Sequence, residues 1–323
     1  MSPSESCLAR SAAYDLLARF FRSGLTQQLF DEIDLLPGLR DALPETIDPD
    51  ALAADHFALL GLDVFPYASA YLEADGRPGG TTTDFVSRMA LSLGETGVSS
   101  ESSDHISAEC DVLSRLCMIK AEMIAGCADL PRVVRLEHDL LDHLFQWLPV
   151  FKHALEEGGG SLHRDMAEWM LDIAVDHKRS LASAADEDAR FQLPELPDLL
   201  SAEKTGLRDL AEYLCRPALA GMVVTRTRVE QIARDLGLPR GFGDRSLMLG
   251  NLFGAAGNYG VVAELITEIK AVAIDWQRYF ESLESSEQNV LAESALAWSE
   301  RVGVTLSLLD HIDQRVSDIA EST

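Results

Sequence analysis

Apolar residues recur along most of this chain at spacings of three and four, the period of a helix buried along one side. Runs that alternate apolar and polar at period two are scarce. Residues 5–22 set the pattern: Leu8, Ala12, Leu16, Leu17, Phe20 and Phe21 form one stripe, charges fall elsewhere, and Ser4 is placed as the N-cap. The same period predicts helices at about 51–60, 81–93, 104–126, 132–156, 161–184, 206–235, 244–256, 258–284 and 287–319. Val223-Val224-Thr225 is the best strand candidate, and it is short. The fold class is therefore all-α, a helical bundle followed by an additional helical C-terminal region.

Punctuation divides the chain. Gly158-Gly159-Gly160 breaks two helices, GRPGG at 76–80 is a loop, and the polar run 95–103 leads into the next helix. Residues 185–204 are acidic and hold two prolines, so they read as a linker between a unit at 1–184 and a helical extension at 205–323. Leu291, Ala295, Trp298, Val302, Thr305, Leu309, Ile312, Val316 and Ile319 alternate spacings of four and three, a heptad seam. Packing on the body of the same chain is preferred, because Ala and Thr weaken a free zipper; a homodimer coil is the alternative.

A formal net charge of −26 argues against nucleic acid as a partner, since phosphates need a basic face, and is compatible with a positively charged one. Five cysteines without a C-x-x-C pair argue against a disulfide framework or a zinc site and for a reducing compartment. Charged residues interrupt the apolar stretches near the N-terminus, and no window reaches the ~20 apolar residues of a membrane span. A cytoplasmic location is expected.

Two segments draw attention. In Asp104-His105-Ile106-Ser107-Ala108-Glu109-Cys110, Asp104 is expected to cap a helix, and His105 and Glu109, four apart, to share a face. The plain alternative is a capped helix start with a solvated His–Glu pair. In Pro66-Tyr67-Ala68-Ser69-Ala70-Tyr71, Pro66 is expected to open a helix that turns Tyr67 and Tyr71 the same way, a pairing suited to gripping a peptide. The plain alternative is two tyrosines at the edge of the core. Trp147-Leu148-Pro149-Val150-Phe151 reads as a packing elbow where Pro149 kinks or ends a helix. The run from Gly237 to Arg245 lacks the strand and Lys-Ser/Thr of a phosphate loop. Gly237 reads as a left-handed helix end and Asp244 as the next start. No GxSxG, HExxH or paired catalytic Cys and His is present.

Taken in order, four of these stretches resemble the TorD/DmsD/NarJ family of molybdoenzyme maturation chaperones. They are Tyr14 to Phe21, Pro66 to Tyr71, Glu101 to Cys110 with Asp104, His105 and Glu109 in register, and Trp147, Pro149 and Phe151. The resemblance covers roughly residues 5–185. Cys110 stands where the family usually has Leu, and residues 205–323 lie beyond the usual family length.

The resemblance implies a TorD-like bundle and a non-enzymatic role. Such a chain would bind the twin-arginine signal peptide and apo form of a molybdopterin oxidoreductase catalytic subunit, delaying export until the cofactor is inserted. An acidic surface suits the basic part of such a peptide and an aromatic groove its apolar part. The expected peptide-binding residues are Tyr67, Ser69, Tyr71, Asp104, His105 and Glu109, with the tyrosines on apolar peptide and Asp104 and Glu109 on arginines. No cofactor is expected. Weak GTP binding is implied by the family alone, with no nucleotide motif here. The alternatives are a helical metalloenzyme using the His105/Glu109 and His138/Asp142 pairs, and an adaptor dimerising through 287–319.

Overall fold

The computed structural model describes residues 2–94, 102–127, 130–158, 161–181, 191–197, 206–285 and 289–321. The fold is all-α, and no strand occurs among the described residues. The three-glycine break, the 95–103 loop and the 185–204 linker lie partly outside them.

Helix α1 (Pro3–Ser23) begins at Ser2, not Ser4: the Ser2 hydroxyl accepts the Glu5 N–H while Glu5 accepts the Ser2 N–H, a reciprocal cap with Pro3 in the first turn. Helices α2 (Gln27–Ile33), α3 (Pro49–His56), α4 (Ser69–Leu72) and α5 (Gly80–Ser92) are short. The apolar periodicity of 51–60 continues past α3 as a π-turn, Phe57–Gly61. The body is α1 packed along α6 (Ile106–Ala125), with α7 (Pro131–Gly158) and α8 (Ser161–Ser180) against them.

The single helix expected at 206–235 is three: α9 (Leu207–Leu214), α10 (Pro217–Ala220) and α11 (Arg226–Asp235). Pro217 opens α10 and Gly221, at φ +76°, ends it, so the periodic run is broken twice. A Cβ on Gly221 would come 2.6 Å from the Val302 nitrogen, so this turn also admits a close approach. Val223-Val224-Thr225 is buried connection rather than strand, and Thr225 caps α11. Gly237, at φ +66°, and Asp244, which accepts the Leu247 N–H, end one helix and begin α12 (Arg245–Tyr259) as expected. Helices α13 (Val262–Glu284) and α14 (Ala292–Glu321) form the last pair.

Helix α7 runs through Pro149 without ending, and the reason lies in the last helices. Proline has no N–H for the carbonyl four residues back, which leaves the Phe145 oxygen open. The Ser294 hydroxyl donates to it at 2.8 Å, Trp298 Nε1 donates to the Gln146 oxygen at 2.7 Å, and the Tyr279 hydroxyl donates to the Pro149 oxygen at 3.0 Å. Helices α13 and α14 thus satisfy the irregular turn of α7. The heptad seam at Leu291, Ala295, Trp298, Val302, Thr305 and Leu309 is buried against this same chain. A dimer coil built on those positions would have to strip them from the core, which corrects the adaptor alternative. One hydrophobic cluster runs from Tyr14 to Leu309.

Candidate functional site

The two sequence segments meet. The Ile106 N–H donates to the Pro66 oxygen at 2.8 Å and the Ala68 N–H to the Asp104 oxygen at 2.9 Å, so Tyr67 and His105 pair like adjacent strand residues. This bridge keeps Pro66 and Tyr67 extended, and the helix starts only at Ser69. The expected helix opening at Pro66 is therefore corrected, and with it the shared face of the two tyrosines. Tyr67 is half-buried and sets its ring edge-on to His105, with centroids 4.9 Å apart. Tyr71 is buried and stacks on Trp147 at 5.5 Å, next to Phe151.

Asp104 does not cap α6. The cap is His105, whose Nδ1 accepts the Ser107 N–H at 3.1 Å. Asp104 turns back instead: its carboxylate accepts the Ser69 N–H at 3.0 Å and the Ser102 hydroxyl. Burial works to raise its pKa, but hydrogen bonds from Ser102 and Ser69 outweigh it and hold the carboxyl below its ordinary range. Asp104 and Ser69 are both fully buried, so they brace the bridge and do not reach a ligand from outside.

Glu109 is fully buried as well. Its Oε1 lies 3.5 Å from His143 Nδ1, a contact too long for a good hydrogen bond, and burial pushes its pKa up, with the His143 charge offsetting only part of that. Of the six expected residues, Tyr67 and His105 line an open cleft, while Ser69, Tyr71, Asp104 and Glu109 stand behind it. Arginines of a peptide cannot meet Asp104 or Glu109 at this surface, which corrects that expectation.

The cleft has a volume of about 590 Å³. Beyond Tyr67 and His105 its lining includes Phe21, His56, Phe57 and Phe65. Phe57 is 62% exposed at the rim. Phe57 and Phe65 were not picked out from the sequence. Phe57 sits in a helical run as one apolar residue among several, at the first position of the π-turn.

The metal alternative is not assembled as expected. His138 and Asp142 converge on Lys178, with His138 Nδ1 3.0 Å from Asp142 Oδ2, while Glu109 faces His143. Among the described residues the one grouping with metal-ligand character is Cys117, Glu137 and His177. Its polar atoms are already engaged: Lys120 Nζ donates to Glu137 at 2.6 Å, and the Tyr14 hydroxyl meets His177 Nδ1 at 3.2 Å. Burial raises the Cys117 thiol pKa. No helix among the described residues is long and apolar enough to cross a membrane.

Residues 27–153 match the family model described as nitrate reductase delta subunit. That segment holds the bridge, Asp104, Glu109 and Trp147, but not α1 or anything beyond α7. Neither the curated proteins nor the solved structures give a significant match.

Proposed function

We propose, from the match of residues 27–153 to the nitrate reductase delta subunit family of molybdoenzyme maturation chaperones, that the chain holds the signal peptide of a molybdopterin oxidoreductase subunit in the Tyr67–His105 cleft. The cleft carries the reading: an open, largely apolar trough of about 590 Å³ suits one or two turns of apolar helix. Phe57 and Phe65 take the apolar run, Tyr67 offers the face of its ring, and His105 packs edge-on against it. The net charge of −26 draws in the basic end of the peptide from a distance.

Asp104 and Ser69 serve as positioning residues, since their hydrogen bond fixes the bridge that presents Tyr67. On this reading the role is binding without turnover.

The test is a fluorescence titration with a synthetic peptide of paired arginines followed by an apolar run. Tyr67→Ala and Phe57→Ser should each weaken binding about tenfold or more, the loss of one buried aromatic contact. Phe242→Ser, at an 88% exposed ring outside the cleft, should leave it unchanged. Equal affinity in all three variants contradicts the assignment.

A further inference from the structure

A second cleft, of about 720 Å³, lies between the 65–77 segment and helices α9 and α12. It holds a buried cation with no carboxylate in direct contact. Arg245 is 5% exposed; its Nη2 donates to the Cys215 oxygen at 3.3 Å, its guanidinium sits 5.7 Å from the Phe65 ring centroid, and its Nε has no hydrogen-bond partner. None of these partners is a carboxylate. The charge of Asp63, whose carboxylate accepts the Arg226 N–H at 2.7 Å, reaches Arg245 through space without a hydrogen bond to it. A buried guanidinium without an anion is costly, so an anion is the natural complement of this wall.

Three more arginines line the same cleft, Arg77, Arg208 and Arg216. Arg208 pairs with Glu212 at 3.2 Å, and Asp75 accepts the Arg77 N–H at 3.1 Å, so the two acidic residues on the walls are occupied locally. Four arginines around one cleft run against a chain of net charge −26. Apart from Ser246 and Asn251 the rest of the lining is apolar, and Gly250 and Gly254 leave open space where side chains would stand on α12.

We propose that this cleft binds a small organic anion. Its carboxylate or phosphate is held by Arg245 and Arg216, and its flat apolar body lies against Phe65 and the glycine face of α12. Except for the 65–77 wall, the residues involved lie outside the segment that matches the family, and the proposal does not depend on peptide binding.

Calorimetric titration of the full chain with phenyl phosphate, benzoate and inorganic phosphate tests it. Saturable binding of phenyl phosphate or benzoate is expected, tighter than that of inorganic phosphate. Arg216→Ala and Arg245→Gln should each weaken it tenfold or more, and Gly254→Leu should abolish binding of the aromatic anions. Arg216 is only half-buried, so its variant keeps the test open if Arg245→Gln does not fold. The absence of saturable binding by either aromatic anion, or an unchanged affinity in Arg216→Ala, overturns the proposal. The two clefts share Phe65, Ala70 and Gly76, so the variants are placed at Arg216, Arg245 and Gly254, which line this cleft and not the peptide cleft.

Discussion

The Ser294 hydroxyl donates a 2.8 Å hydrogen bond to the Phe145 carbonyl, the acceptor that Pro149 leaves without an intrahelical donor. Ser294→Ala should therefore strand a buried carbonyl and cost about 1–3 kcal/mol in urea unfolding. In a Pro149→Ala background an N–H is restored to that carbonyl, so the same change should cost less, by about 1 kcal/mol. Equal costs in both backgrounds would show that Ser294 acts through something other than the proline.

Asp104→Ala should remove the acceptor for the Ser69 N–H and lower stability by about 1–3 kcal/mol. Peptide affinity should fall with it, because the Tyr67–His105 bridge loses its brace. The carboxyl titrates below its ordinary range in the fold, so its contribution is present above the unfolded pKa and is lost as pH falls through the folded one. An unchanged denaturation midpoint at pH 7 would remove Asp104 from the account.

His163 shares a 2.9 Å ring-nitrogen contact with His56, and burial, with the His56 charge adding to it, pushes His163 down to about 3. Released by unfolding, it takes a proton near pH 6.5. Between those values the unfolded chain binds more protons, so stability falls as pH drops, by at most about 1.4 kcal/mol per unit. His163→Gln should flatten this slope between pH 6.5 and 4, read as the urea midpoint against pH. Parallel slopes for the two proteins would contradict the assignment.

Much of the fold is legible in the residues. The stripe from Leu291 to Leu309 marks the buried face of α14, because apolar spacing reports burial directly. It does not report what covers that face, and the open carbonyls of α7 that settle the matter lie almost 150 residues away. The candidate site is legible as a pair of segments and misread in its details. Asp104 and His105 are consecutive and both able to cap. The choice between them follows from the pairing of Pro66 with Ile106, a tertiary contact with no local signature. The same pairing keeps Tyr67 extended, which turns Tyr71 inward onto Trp147 and defeats an argument from helical spacing. Arg245 carries no sequence signal at all, since only the fold brings Phe65 over it.

The most direct test of the central claim is amide hydrogen exchange of the full chain with and without a saturating peptide of paired arginines and an apolar run. Slowed exchange at residues 56–61, 67–72 and 105–108 is the predicted result. Protection confined to α12 or α14, with the Tyr67–His105 bridge exchanging as before, would contradict it.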